Sequence, residues 1–245
     1  MSTVSAYVKF EILQAVRIPA VFIGLLFMPV GGMLVFVIPT MGSDPATATM
    51  GTASMCLFAV LIICSAQYGM GIADSRTKPW GGYVRTLPGG PLPKMVSMIT
   101  LSMLMTVLGT IPLVLVAMAG TEAEASPADV ALGFGALLLA VIPFALFMLA
   151  VGYAVNPYLV NMLTSVAPLL LVVLGGLLAD PTDTGGFIGT VAPYIPIRGA
   201  AELVWAAVSD YSPRPVSLIS QGVWTVVLAF VAHRAYRADE GRRFR

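Results

Sequence analysis

Six long apolar stretches, at 18–38, 53–72, 95–119, 132–154, 158–178 and 218–235, limit what this chain can fold into. A bilayer core of ~30 Å is crossed by about 20 mostly apolar residues in an α-helix. Each stretch is read as one transmembrane helix, and the last is the shortest. Charged residues make up only 10% of the chain, against ~25% in an ordinary soluble domain. With 58% hydrophobic residues and a mean hydropathy of +0.91, too few polar groups remain to cover a water-facing surface. The expectation is an all-α membrane protein formed as one domain over residues 1–245. The first stretch is followed by Ala46-Thr47-Ala48, a small-residue pattern like a signal-peptide cleavage site. Its apolar run exceeds the ~7–15 residues of such a peptide, so an uncleaved span is expected.

The charges orient the bundle. If the N-terminus lies inside, Lys9, Arg17, Arg76, Lys78, Arg85, Lys94, Arg234, Arg237, Arg242, Arg243 and Arg245 are all cytoplasmic, and only Arg198 and Arg214 are external. Eleven against two is the bias of the positive-inside rule. Acids lean outward: Asp44, Glu122, Glu124, Asp129, Asp180, Asp183, Glu202 and Asp210. Six spans with both termini in the cytoplasm follow.

Four other segments complete the plan. In residues 1–17, Val4, Tyr7, Val8, Ile12 and Val16 recur at helical spacing around Lys9 and Glu11, which predicts an amphipathic leader helix along the membrane surface. Residues 73–94 form the sizeable cytoplasmic loop, and 236–245 a basic cytoplasmic tail. Residues 179–216 form a broken external segment. Its apolar runs at 187–192 and 197–208 are too short to span, and Pro181, Pro193, Pro196 and Gly185-Gly186 interrupt them. Short re-entrant helices at the outer interface fit this pattern.

Several residues are candidates for function. The loop carries Asp74, Arg76, Pro79, Trp80, Gly82, Tyr83, Arg85, Leu87 and Pro88. Two readings of its aromatics stand side by side: an interfacial belt above basic anchors, or a docking surface for a cytoplasmic partner, where aromatic and Arg side chains serve as anchors. Inside the spans, Gln67, Tyr68, Asn161, Thr164 and Ser165 are scarce polar groups that line a pathway or hydrogen-bond between helices. No Asp, Glu, Lys or Arg lies deep in a span, which argues against an ion-coupled pump. Arg198 and Glu202, four apart, are expected to pair on one helix face as a solvated ion pair contributing a few tenths of a kcal/mol. Pro29, Pro112, Pro143 and Pro168 are expected to kink their spans.

Other chemistry is constrained by what the sequence lacks. His233 is the sole histidine, so a His-based metal cluster or a Ser-His triad within one chain is excluded. Cys56 and Cys64 stand about two turns apart on one helix, ~12 Å at ~1.5 Å per residue, beyond disulfide reach. There is no phosphate-binding loop, nucleophile elbow or His-Glu-x-x-His motif. The chain is not expected to be an enzyme, nor to bind a metal or nucleic acid.

The order of parts resembles the type 2 ATP-binding-cassette (ABC) exporter permeases. In that family an acidic stretch leads to a Gly-x-Leu-x-x-Leu-x-x-x-Pro run after the second span. Asp74 and the run from Gly82 through Tyr83, Val84, Arg85, Thr86 and Leu87 to Pro88 look like a shortened version of it. The segment Ala192-Pro193-Tyr194-Ile195-Pro196 with the apolar run after it, and the tail from Tyr236 to Phe244, are similar to the family's ending. The flavour is closest to drug and antibiotic exporter permeases of Gram-positive bacteria. The resemblance implies a multi-pass subunit of the bacterial cytoplasmic membrane. It also implies a second permease copy or a sister chain, and two cytosolic ATPase subunits that hold ATP and Mg. The cargo would be a lipophilic or amphipathic small molecule, passing between halves lined by the first, second and fifth spans, with the leader and the loop at 74–88 coupling ATP-driven closure to it. A membrane-embedded sensor or regulatory subunit is the alternative, and an intramembrane enzyme a third, disfavoured by the lack of paired polar catalytic residues.

Overall fold

The computed structural model describes residues 19–77, 92–181 and 185–242, together with 5–6, 8–9 and 12–13 of the leader, and these six leader residues are helical. Every regular element among the described residues is a helix. Helix α1 (Pro19–Gly32) runs through a π-helical turn (Met33–Val37) into α2 (Ile38–Met41). Helix α3 (Pro45–Cys64) likewise continues through a π turn (Ser65–Met70) into α4 (Gly71–Thr77). Then come α5 (Leu92–Gly120), α6 (Pro127–Ala154) and α7 (Pro157–Leu174). Short α8 (Gly186–Val191), a 3₁₀ turn (Ala192–Tyr194) and α9 (Pro196–Val208) precede the last helix, α10 (Pro215–Arg242).

Among the described residues, five helices are long and apolar enough to cross a membrane: Pro45–Thr77, Val96–Gly120, Pro127–Ala154, Pro157–Leu174 and Pro215–Asp239. They are those of a multi-pass membrane protein. Leu26–Met41 is a shorter apolar helix at the place of the first predicted span. Capping chemistry sets where several helices begin. Asp44 accepts from the Thr47 N–H at 2.9 Å ahead of Pro45, so this helix starts eight residues before the apolar run that predicted it (53 − 45). Ser126 and Asp129 form a reciprocal capping box before α6. The Asn156 side chain accepts from the Tyr158 N–H at 3.1 Å and opens α7. At its far end, α7 stops at Gly175-Gly176, where Gly176 takes φ +71°, a region costly for residues with a Cβ.

The helix at 218–235 was expected to be the shortest; at 28 residues, α10 is among the longest. Pro215 at its start fits a first turn, where a missing N–H costs nothing. Pro29, Pro112, Pro143 and Pro168 each lie inside a helix that continues past them.

Helix α3 is central. Within the candidate span Pro45–Thr77, 83% of the most apolar window is buried inside the chain, against 22% for α7 and for α10. It is buried all round over residues 53–61, and Met55, Leu57, Phe58, Leu61 and Ile63 share the core with Phe144 and Met148 of α6 and Trp205 of α9. The helix ends gather into two sets. One set joins the loops at 42–44, 121–126 and 209–214, rich in acids, and the Gly175–Leu178 turn. The other brings together the ends of α4, α6 and α10. The two apolar runs of the broken segment form α8 and α9, as their composition suggested.

Candidate functional site

At the end of α4 the chain enters the loop singled out by its sequence. Arg76 donates from Nη1 to the carbonyls of Gly152 (2.8 Å) and Val155 (2.7 Å) and from Nε to Asp239 Oδ1 at 3.1 Å. The last carbonyls of a helix have no intrahelical partner and carry its partial negative charge. A guanidinium suits both needs, and here it also holds a carboxylate 95% buried (100 − 5). Tyr153 and Tyr236 stack edge to face beside this contact, with centroids 5.3 Å apart. The end of α4, the end of α6 and the tail of α10 are thereby one clamp. Asp74 is exposed; Pro79, Trp80, Gly82, Tyr83, Arg85, Leu87 and Pro88 lie outside the described residues.

Gln67 and Tyr68 sit in the second π turn. A π turn inserts one residue into the helical register, about 100° of rotation at ~3.6 residues per turn, and such turns are frequent at functional sites. Gln67 is half-buried and Tyr68 fully buried. The Tyr68 hydroxyl lies beside that of Ser102, yet among the described residues neither meets hydrogen-bond geometry with a partner, nor does Thr106 one turn further along α5. Thr110, the next residue of this stripe, donates to the Thr106 carbonyl at 2.9 Å. A buried polar seam therefore runs along the α5 face.

On α7 the three predicted polar residues part company. Thr164 is buried against Gly69, where an added Cβ would come within 2.3 Å of its methyl group; its hydroxyl bonds the Val160 carbonyl at 2.9 Å. Asn161 and Ser165 face outward, Ser165 donating to the Asn161 carbonyl at 3.0 Å. Their neighbours on that surface, Tyr158, Met162 and Leu169, are exposed and apolar.

Arg198 and Glu202 do pair, Nε to Oε1 at 2.9 Å, but the expectation of a solvated pair fails: their residues are only 4% and 0% exposed. Glu202 also accepts from the Arg214 N–H (2.7 Å), Arg214 Nε (3.1 Å) and Ser217 Oγ (3.0 Å). Arg198 reaches the Gly175 carbonyl at 3.3 Å and lies over the Trp205 ring, 4.6 Å from its centroid. Trp205 in turn donates to Ser54 Oγ at 3.0 Å. Burial pushes the Glu202 carboxyl upward, but hydrogen bonds from Arg198, Arg214 and Ser217, with the Arg198 charge, outweigh it and hold the group below its ordinary range. This network locks α9 to α3, α10 and the end of α7.

One cavity, of about 350 Å³, lies between α3, α5, α6 and α9, with Glu124 of the loop before α6 in its lining. Neither this cavity nor the Arg76–Asp239 contact is visible in the sequence; the one available signal was the pairing of a loop cation with an acid in a basic tail. Cys56 and Cys64 are both buried free thiols. Among the described residues, no group of three His, Cys, Asp or Glu could hold a metal. No protein-family model, curated protein or solved structure matches this chain.

Proposed function

We propose that this chain is the transmembrane permease subunit of an ATP-driven exporter, moving a lipophilic or amphipathic compound with energy from a separate ATPase subunit. In this reading it has six spans with both termini in the cytoplasm of a bacterium, and α8 and α9 belong to an external re-entrant segment. The observation that carries it is the Arg76 clamp. Arg76 belongs to the loop at 74–88, six residues before the run from Gly82 to Pro88 that resembles the coupling motif (82 − 76), and it is bonded to the ends of α6 and α10. A push on that loop reaches three long helices together, which is what coupling to an ATPase requires.

A second copy or a sister permease completes the pathway. Asn161 and Ser165 support this, because an amide on an otherwise apolar outer face favours a partner helix over lipid. The test is co-expression with the ABC ATPase encoded nearest to it, purification of the pair, and ATP hydrolysis and dye efflux in proteoliposomes. Trp80→Ala with Tyr83→Ala is expected to abolish co-purification and coupled turnover. Full assembly and turnover in that variant would refute docking through the loop. A complex that hydrolyses ATP but moves no compound would instead favour a regulatory subunit.

A further inference from the structure

The cavity between α3, α5, α6 and α9 has a chemistry that points to one class of ligand. At about 350 Å³ it falls within the ~300–1,000 Å³ of small-molecule sites. Cys56, Val114, Phe134, Leu137 and Val204 give it a mainly apolar wall. Its polar wall groups accept rather than donate. Thr52 gives its proton to the Ala48 carbonyl at 2.8 Å, and Thr110 gives its own to the Thr106 carbonyl at 2.9 Å. Each hydroxyl then has only lone pairs left for the cavity.

Glu124 belongs to the lining and is itself exposed. Its backbone is fixed there, since its N–H donates to Thr49 Oγ1 at 3.1 Å while the same hydroxyl lies 3.0 Å from its carbonyl. Asp44, Glu122, Asp129 and Asp210 belong to the same end of the bundle. The two cations there among the described residues, Arg198 and Arg214, are both bound to Glu202. The loops beside the cavity are anionic and the wall offers acceptors around an apolar centre.

We propose that this cavity is a binding site for a lipophilic amine, its apolar body between the four helices and its ammonium on the Glu124 carboxylate. A neutral lipid tail has no use for the carboxylate, and an anionic amphiphile is repelled by it. The site requires only the fold, so it holds for an exporter and for a sensor alike.

The test uses the full chain in phosphatidylcholine nanodiscs, with empty discs as background and no ATPase present. The probes are radiolabelled phenylbutylamine and its neutral N-acetyl amide. Expected is saturable binding of the amine, stronger than that of the amide by about tenfold, the effect of ~1.4 kcal/mol. Glu124→Gln should erase that preference and leave the amide unchanged, and Val114→Phe, which fills the centre, should weaken both. Because Val114→Phe can impair folding, a second readout uses the wild type: the amine should raise the melting temperature of the chain in nanodiscs with increasing concentration, and by more than the amide does. Absence of saturable amine binding, or a melting temperature that the amine does not move, overturns the site. Equal binding of amine and amide overturns the ammonium assignment. Failure here leaves ATP-coupled transport standing, and failure of ATPase coupling leaves this site standing.

Discussion

Arg76 and Asp239 meet at 3.1 Å, an ion pair almost sealed from solvent that ties the end of α4 to the tail of the last helix. The same guanidinium caps α6 through the carbonyls of Gly152 and Val155. One side chain therefore closes three helix ends.

Arg76→Ala removes the cation from a buried carboxylate and from two helix-end carbonyls. Breaking a buried pair in this way costs about 3–5 kcal/mol. A large drop in the apparent melting temperature of the purified chain is expected. Arg76→Lys, which keeps the charge but loses the planar fork, should fall between the two. A melting temperature unchanged in Arg76→Ala would mean that the clamp contributes nothing to stability.

Glu202 makes stability depend on acid. Its carboxyl lies below its ordinary value of 4.5 in the folded chain. The stabilisation is complete above that value and is lost as pH falls from there through the folded-state value. Thermal unfolding followed from pH 7 downward should be flat until about that ordinary value and then decline. Glu202→Gln should start lower and show a shallower decline over the same interval.

Ser54 and Trp205 are coupled through one hydrogen bond across two helices. Ser54→Ala strands the indole N–H inside the core, at a cost of about 1–3 kcal/mol. In Trp205→Phe, where no such donor exists, the same Ser54→Ala change should cost much less. A double-mutant cycle by chemical denaturation measures the difference; additive effects would dissolve the coupling.

Gly69 and Thr164 are matched by shape. An alanine at 69 would place its Cβ 2.3 Å from the Thr164 methyl, so Gly69→Ala should destabilise by about 1–3 kcal/mol through overpacking. Thr164→Ser removes that methyl and keeps the hydroxyl. It should recover most of the loss in the double variant, as read by thermal unfolding.

The Tyr68 hydroxyl has no partner among the described residues. An unpaired buried hydroxyl costs about 1–3 kcal/mol, so Tyr68→Phe should leave stability unchanged or raise it. A clear loss on thermal unfolding would show that the hydroxyl is satisfied in the membrane, by water or by a ligand in the α5 seam.

Much of the architecture was legible in the chain. Five of the six apolar stretches correspond to helices long enough to cross a bilayer, and the two apolar runs of the broken segment became α8 and α9. Helix starts were less legible, because Asp44 and Ser126 extend helices beyond their apolar cores through capping, which hydropathy does not register. The site residues divided. Asn161 and Ser165 face outward, Thr164 became a packing contact on Gly69, and Tyr68 turned inward. Their spacing along the chain could not separate these fates. Arg198 and Glu202 were legible as a pair but not as a buried one, because the burial comes from Arg214, Ser217, Gly175 and Trp205, which converge only once α9 is packed.

By itself, the sequence determined that this chain is made of long apolar helices and that its acids and bases sort to different loops. Both are local properties: transfer to an apolar phase and helix length add up residue by residue. Only the tertiary structure decided that Arg76 meets Asp239, that Trp205 reaches Ser54, and that a cavity remains between four helices. These contacts depend on the rotational phase of each helix against its neighbours, which the π turns at Met33–Val37 and Ser65–Met70 reset. An apolar run in a membrane helix is nearly uniform around its axis, so it carries little record of which face turns inward.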